Sequence, residues 1–386
     1  MRFSFLALTL GVALMGSAPA ALAQVKIGVV TSATGPTALV GIPQKNTVPL
    51  LPTRAGDLDI EYISLDDASD PTLTVTAFKK LISENHVDAL IGPTGSPNAM
   101  SVLQFAAESG TPMLAPVGAA SIVLPMTPEK KWAFKTTQNT DIIAQALVRD
   151  MVQRGIKTVG FIGFADAYGE DWAQVFGQLA KENGLRLVAS ERYQRTDSSV
   201  TGQALKLLAA KPDAVLVAGT GGAAALPQVT LAQQGYKGQF YQTHGAALPV
   251  FLSLGGPAVE GTILAASLML VLSEIPDSNP SKPIVQDYIQ RYQAMYGEKP
   301  ATFGANVYDA GLLLQHAIPM AAKTAQPGSA EFRQALRDAL EQTKELTATQ
   351  GVYTMSPADH SGFDERGREL ITVKDGKWVL LPSPTP

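Results

Sequence analysis

An isolated histidine stands among small and polar residues in the stretch YQTHGAALP, residues 241–249. This residue, His244, is one of only four histidines in the chain. An imidazole can serve as a general base, bind a metal or exchange hydrogen bonds with a ligand, and it can also be an ordinary surface residue. The others, His86, His316 and His360, have no partner at metal-ligand spacing, so we predict no metal site.

Other segments of small residues follow predicted strands. They are TSATGP (31–36), GPTGS (92–96), PVGAAS (116–121), GFADAYG (163–169) and GTGG (219–222), beside THGAA (243–247). Ligands of open α/β sheets bind beyond the carboxyl ends of the strands, so these loops are predicted to surround one site. Ser96 and Pro97 are typical of a helix N-cap and a first helical residue. The N–H groups of that helix and the Ser96 hydroxyl would bind an anion, unless Ser96 only caps its own helix.

Two aromatic residues also lie near predicted strand ends or helix starts. Tyr168 could lie against a ligand or be a surface residue, and Phe303 fits a cleft wall or the core equally well. The enzyme motifs G-x-S-x-G, H-E-x-x-H and G-x-x-x-x-G-K-[ST] do not occur in the chain. The acidic run DDASD (66–70) is interpreted as a strand end and a helix cap, because its spacing is not that of a calcium loop. We therefore predict a protein that is not an enzyme, without catalytic residues or a cofactor.

The elements that would position these residues follow one repeated order. Residues 79–116 and 205–243 each predict a helix, a buried strand, a glycine-containing loop, a second helix and another strand. This is the order of a βαβ unit, and finding one in each half predicts an α/β fold of two similar doubly wound lobes, each with a central parallel sheet. Asp70 and Pro71 predict a helix start, and Asp375 and Gly376 predict the turn of a hairpin.

Length and composition narrow the class of protein. A chain of 386 residues suggests two domains. Residues 1–23 combine Arg2, an apolar run and the ending SAPAALA, which is typical of a cleaved secretory signal peptide, so we predict export to the periplasm. The chain has no cysteine, which excludes disulfides and thiol chemistry. Its formal net charge of −4 and its short basic runs do not fit a nucleic-acid-binding protein.

The sequence contains no low-complexity linker, so the lobes are predicted to exchange chain at short crossovers near residues 138, 265 and 346. The first lobe would then contain residues 24–138 and 265–345. The second lobe would contain residues 139–264 and 346–386. Both domains are therefore expected to be discontinuous.

The segments VKIGVVTSATGP, LDDASDP, VDALIGPTGS, TPMLAPVGAA, ADAYGEDWA and NVYDAGLLL occur in this order. In these segments the chain resembles the type I periplasmic substrate-binding proteins of ABC transporters, in the branched-chain amino-acid-binding (Leu/Ile/Val) group. The resemblance covers essentially the whole mature chain. It implies two lobes joined by three crossovers, which close by a hinge motion around a small ligand and deliver it to an inner-membrane permease. We expect a monomer.

The resemblance also implies a set of ligand-binding residues. The ligand carboxylate would be held by a hydroxyl and a backbone N–H at Ser96, and the facing loop falls on Val117, Gly118 and Ala119. Family members often have a threonine or serine where Ala119 stands, so one side-chain hydrogen bond is in doubt. The remaining expected contacts are Leu39, Val40, Gly95, Tyr168, Gly219, Thr220, Gly221, His244 and Phe303.

The position of His244 bears on the ligand. In amino-acid-binding members of the family an acidic residue at this position pairs with the ligand's ammonium, and a buried ammonium without such a partner is costly. We therefore predict a carboxylate without an α-amine, with an aromatic acid or aromatic 2-oxo acid favoured. The alternatives are a hydrophobic or branched-chain amino acid or amide, a periplasmic enzyme using His244 with Asp166, and a ligand sensor that docks on a membrane kinase.

Overall fold

The computed structural model describes residues 24–381 and contains two α/β lobes, each built on its own sheet. The predicted signal peptide, residues 1–23, lies outside the described residues. The first sheet contains β1 (Val25–Thr31), β2 (Arg54–Ala55), β3 (Leu58–Asp66), β4 (Ala89–Ile91), β5 (Met113–Ala115) and β6 (Ala133–Lys135). Its strand order is β2-β3-β1-β4-β5-β6, and every neighbouring pair is parallel except β2 with β3.

Three helices connect these strands: α1 (Ala38–Thr47), α2 (Pro71–Ser83) and α3 (Ser96–Ser109). The predicted start of α2 is confirmed, because the Asp70 carboxylate accepts the N–H groups of Thr72 and Leu73 and a proline occupies the first helical position. Phe78 and Leu81 of α2 are fully buried against the sheet. Burying a side chain of this size stabilises the fold by roughly 1.5–3 kcal/mol, which fixes the face that α2 turns to the sheet.

The second sheet repeats the plan of the first. Its parallel strands are β7 (Thr158–Phe164), β8 (Arg186–Tyr193), β9 (Ala214–Ala218), β10 (Gln239–Gln242) and β11 (Ile263–Ala266), in the order β11-β10-β9-β7-β8. The helices of this lobe are α4 (Thr140–Gln153), α5 (Ala167–Glu182), α6 (Thr201–Ala210), α7 (Gly221–Gln233) and α8 (Pro249–Gly255). The predicted fold of two similar doubly wound lobes is therefore confirmed.

The chain then returns to the first lobe. This returning segment contains α9 (Lys282–Tyr296), α10 (Thr302–Ala321), α11 (Ala330–Glu341) and the two-stranded ribbon of β12 (Leu346–Thr347) and β13 (Val352–Tyr353). Asp309 of α10 holds the ribbon, because its buried carboxylate accepts the N–H of Thr349, the N–H of Gln350 and the hydroxyl of Tyr353. These charge-assisted bonds tie the ribbon to the core of the first lobe.

The packing places two crossovers later than predicted. Ala265 and Ala266 belong to β11 and pair with Leu370 and Glu369 in the second sheet, so the second crossover follows β11 and does not lie at 265. Tyr353 and Phe363 pack in the core of the first lobe, so the third crossover follows Phe363 and does not lie at 346. The contacts that decide these boundaries are long-range, and the local sequence pattern does not contain them. The first crossover lies between β6 and α4, around residue 138.

After the third crossover, β14 (Glu369–Lys374) and β15 (Lys377–Leu380) add an antiparallel edge beside β11. The hairpin turn at Asp375 and Gly376 is confirmed, with φ of 53° and 67° as a type I′ turn requires. Among the described residues, no helix is both long and apolar enough to cross a membrane.

Candidate functional site

A cavity lies between the lobes, beyond the carboxyl ends of the strands of both sheets. The wall from the first lobe includes Val40, Gly95, Ser96, Val117, Gly118 and Phe303. The wall from the second lobe includes Tyr168, Arg195, Thr220, His244 and Gly245. The loops that sequence reasoning grouped together therefore meet around one space.

The first-lobe wall is formed by the start of α3 and the loop after β5. Gly95 is the N-cap residue and Ser96 is the first helical residue, so the prediction that Ser96 caps α3 is wrong by one position. In the described part of the chain no side chain caps α3, which leaves its first N–H groups for another acceptor. The buried Ser96 hydroxyl accepts a long bond of 3.4 Å from the Ala119 N–H. This wall can therefore receive a carboxylate.

Tyr168 anchors the second-lobe wall at the first turn of α5. Asp166 is the N-cap of this helix, and its carboxylate accepts the N–H groups of Tyr168 and Gly169. The Tyr168 hydroxyl lies 2.7 Å from the Thr243 hydroxyl, in a position where either could donate. Burial raises the pKa of Tyr168 well above its usual value, so the phenol stays neutral. Its ring and hydroxyl present an apolar surface with one polar end to the cavity.

His244 begins a short 3-10 turn directly after β10, and its side chain is enclosed. The imidazole ring centroid lies 6.2 Å from that of Tyr168 and 5.9 Å from that of Trp172. Burial, together with the smaller effect of the nearby Lys135 ammonium, lowers the pKa of His244 to about 3. The ring is therefore neutral at pH 7. Its buried Nδ1 has no hydrogen-bond partner among the described residues.

The two walls touch at Gly118. A Cβ atom on this residue would lie 2.8 Å from His244 Nε2 and 2.8 Å from Tyr168 Cε2. Because such a contact is too short, only glycine lets the first-lobe loop approach the second lobe this closely. The lobes are thus in contact across the cavity.

Arg195 is the residue of the wall that sequence reasoning missed. It lies two residues after β8, and its Nε donates to Asp166 Oδ2 at 2.6 Å. Its Nη1 donates to the Thr220 hydroxyl at 3.1 Å, and its guanidinium lies 4.2 Å from the centroid of the Phe164 ring. Its position just after a strand could have indicated this role, because ligands of this kind of sheet bind beyond the carboxyl ends of the strands.

Comparison with known proteins identifies the family of the chain. Residues 24–367 match a family model described as periplasmic binding protein. The chain belongs to the periplasmic binding protein family. It is 25% identical over 351 residues to the Leu/Ile/Val-binding protein BraC3 of Rhizobium johnstonii. This alignment covers 89% of this chain and 90% of BraC3.

Solved structures of periplasmic binding proteins are also similar. An extracellular ligand-binding receptor of Rhodopseudomonas palustris HaA2 is 42% identical, with a TM-score of 0.90, over 93% of this chain and 100% of that chain. The substrate-binding protein LivJ of a Streptococcus pneumoniae branched-chain amino acid transporter, solved in complex with isoleucine, is 19% identical, with a TM-score of 0.77, over 92% of this chain and 97% of that chain. At 19% identity the likeness to LivJ is evidence only of the fold of this chain.

These matches confirm the resemblance to the Leu/Ile/Val group of periplasmic binding proteins. Membership of the family implies a periplasmic location, a small-molecule ligand and an ABC permease as partner. The relatives named above are binding proteins.

The cavity of this periplasmic binding protein does not include every expected residue. Leu39 is 52% exposed and lines a separate surface hollow, whereas the next residue, Val40, lines the cavity. Val40 packs with Phe303 and with Leu248 of the second lobe, so this apolar cluster joins the lobes. Ala119 is fully buried beside Ser96, behind the cavity surface.

Gly219 and Gly221, two of the expected contacts, have other roles. A Cβ on Gly219 would clash with the Tyr193 hydroxyl, so this glycine admits Tyr193 and not a ligand. Gly221 has φ of +56°, a conformation that glycine adopts without strain. Thr220, between them, does line the cavity.

Proposed function

We propose that this chain is a periplasmic solute-binding protein that captures a small carboxylate without an α-amine and delivers it to an ABC permease. The observation that carries the proposal is the charge of the cavity wall. The titratable side chains that line it are the neutral Tyr168 and His244 and the cation Arg195, which forms an ion pair with Asp166. Such a wall offers a carboxylate N–H and O–H donors, whereas an ammonium would be desolvated without a charged acceptor.

The side chains around the cavity also favour an aromatic or bulky apolar group. Phe303 and Val40 form an apolar wall, and Tyr168 presents its ring from the other lobe. We propose an aromatic acid or an aromatic 2-oxo acid as the preferred ligand. His244, being neutral, would donate one hydrogen bond to a carboxylate or keto oxygen.

A hydrophobic or branched-chain amino acid is the second candidate ligand. The name of the relative BraC3 favours it, because BraC3 is a Leu/Ile/Val-binding protein. BraC3 is 25% identical to this chain, a distance at which a fold persists while single wall residues differ.

Matched ligand pairs distinguish the two candidates. Phenylalanine is compared with phenylpyruvate, and leucine with 4-methyl-2-oxopentanoate, by thermal shift and calorimetric titration. Within a pair only the α-substituent differs. A ligand at a concentration of 100 times its Kd stabilises the folded protein by about 2.7 kcal/mol, which a thermal shift can detect. We expect the oxo acid of at least one pair to stabilise. Stabilisation by the amino acids alone would refute the amine-free proposal and leave the second candidate.

Substitution of His244 provides an independent test of the same wall. His244→Glu places a carboxylate in the cavity, so we expect weaker acid binding and stronger amino-acid binding. His316→Glu on the exposed face of α10 is the matched control and should change neither affinity. Equal acid affinity in His244→Glu and the original protein would remove His244 from the site.

A further inference from the structure

We propose that Arg195 and Thr220 form a second oxygen-binding subsite, which selects acids that carry a keto or hydroxyl oxygen in addition to the carboxylate. This inference rests on the proposed function, because it assumes that the ligand is a carboxylic acid. It assigns the carboxylate to the first-lobe wall at Ser96 and the second oxygen to the opposite wall. One ligand would then join the two lobes.

The guanidinium of Arg195 is held in one orientation before any ligand binds. Nε donates to Asp166 Oδ2 at 2.6 Å, and Nη1 donates to the Thr220 hydroxyl at 3.1 Å. The guanidinium carbon lies over the Phe164 ring, 4.2 Å from its centroid, and only 17% of the Arg195 side chain is exposed. A planar cation anchored at two of its nitrogens and stacked on a ring loses little entropy when it binds a further group.

A count of donors indicates what that further group is. A guanidinium has five N–H donors, and the two bonds above use two of them. Thr220 accepts one of these bonds and keeps its own hydroxyl hydrogen. Arg195 and Thr220 both line the cavity, so the donors that remain can serve a ligand. Their natural partner is an oxygen acceptor.

The charge around the subsite indicates that this oxygen can be neutral. Asp166 forms an ion pair with Arg195, so the pair has no net charge, and Asp166 is not among the residues that line the cavity. A neutral pair can hydrogen-bond a keto or hydroxyl oxygen without needing a second anionic group. Asp166 acts on the ligand only by positioning Arg195.

The test uses residues 24–386 of the protein. Four acids that share one carbon skeleton serve as ligands. The parent is 3-phenylpropanoate, and its derivatives carry one added oxygen as a 2-oxo, 2-hydroxy or ring 4-hydroxy group. A hydrogen bond to a charged group changes affinity by roughly 10- to 100-fold, so we expect at least one derivative to bind that much more tightly than the parent. Arg195→Met should abolish this preference, so that the parent and its derivatives bind to this variant with affinities within about threefold of one another.

The controls separate the subsite from general effects. Arg192→Met removes a neighbouring arginine that pairs with Glu170 outside the cavity, and it should keep the preference. Thr220→Val removes only a hydroxyl and should reduce the preference for the added oxygen. If Arg195→Met melts far below the original protein, Thr220→Val replaces it as the test.

Each result decides the proposal. If the parent binds as tightly as every derivative, or if Arg195→Met weakens all four acids equally, the second subsite is refuted while the carboxylate-binding function stands. If none of the four acids binds, the aromatic-acid function itself fails, and the subsite fails with it.

Discussion

Asp171 is predicted to control how firmly the cleft closes. It lies on α5 of the second lobe and is buried. Its carboxylate accepts the N–H of Ala120 at 3.0 Å and the N–H of Ser121 at 2.8 Å, both in the first lobe. It also accepts the hydroxyl of Thr140, which begins α4 in its own lobe. The two backbone bonds join the lobes, so they exist only while the lobes are in contact.

The magnitude follows from these two bonds. A hydrogen bond to a charged group contributes about 1.5–3 kcal/mol, so the lower value for each bond gives about 3 kcal/mol for the pair. In Asp171→Ala both N–H groups would be buried without this acceptor in the closed form, whereas water would satisfy them in the open form. Closure would weaken by about 3 kcal/mol, which raises the Kd of any ligand that needs the closed form by roughly 100-fold.

The assay combines calorimetric titration with small-angle scattering of the free and the saturated protein. We expect Asp171→Ala to bind more weakly and to be more open without ligand than the original protein. Glu170→Gln is the matched control, because Glu170 is the adjacent residue on α5 and pairs with Arg192 inside the second lobe. A Kd within twofold of the original, in an Asp171→Ala protein of normal melting temperature, would refute this role.

Three further predictions concern the wall and the core. Gly118→Ala should weaken ligand binding at least tenfold in calorimetric titration, because the added Cβ would clash with His244 across the lobes. It should not lower the free energy of unfolding, because the clash exists only while the lobes are in contact. The control is Gly177→Ala, whose Cβ would meet nothing within 4 Å in the described chain and should leave the affinity unchanged. Asp309→Ala should lower the free energy of unfolding by about 3–5 kcal/mol in denaturant titrations, because it leaves buried donors of the β12–β13 ribbon unpaired. Finally, the unfolded chain protonates His244 near pH 6.5 and the folded protein only near pH 3, so stability falls as pH drops below 6.5. His244→Gln should remove about 1 kcal/mol of that fall between pH 7 and 5.5, measured by unfolding at each pH.

Features set by neighbouring residues were predictable from the sequence. The start of α2 at Asp70 and the hairpin turn at Asp375 each depend on bonds or backbone angles within about three residues. The site was predictable in outline because parallel strands end at one edge of a sheet, which brought Gly118, Tyr168 and His244 into one group. The contacts of these residues across the cavity depend on both lobes and required the structure.

Other features depend on side-chain direction and distant partners. Leu39 and Val40 are adjacent on α1, and since successive helical residues point about 100° apart, only Val40 turns to the cavity. Arg195 is positioned by Asp166, 29 residues earlier in the chain. The third crossover depends on Asp309, which holds residues about 40 positions later. No local pattern contains these pairings.

The charge behind the first-lobe wall also bears on the choice of ligand. Lys135 is fully buried at the end of β6, and its ammonium donates to the Gly118 carbonyl at 2.8 Å and to Asn139 Oδ1 at 2.6 Å. Burial lowers the pKa of Lys135 to about 8, and Asp171 opposes this shift, so the side chain is mostly protonated at pH 7. A positive charge therefore stands behind the first-lobe loop, whereas Arg195 on the opposite wall is paired with Asp166.

This arrangement treats the two ends of an amino acid differently. A carboxylate at Ser96 would be attracted by Lys135 through the intervening loop, in surroundings that screen charge less than water does. An ammonium placed near His244 would be repelled by that same charge, which already disfavours protonation of the imidazole. An oxo acid of the same skeleton keeps the attraction and avoids the repulsion. The names of the relatives thus bear on the transport class, whereas Lys135 and Arg195 bear on which ligand of that class this chain prefers.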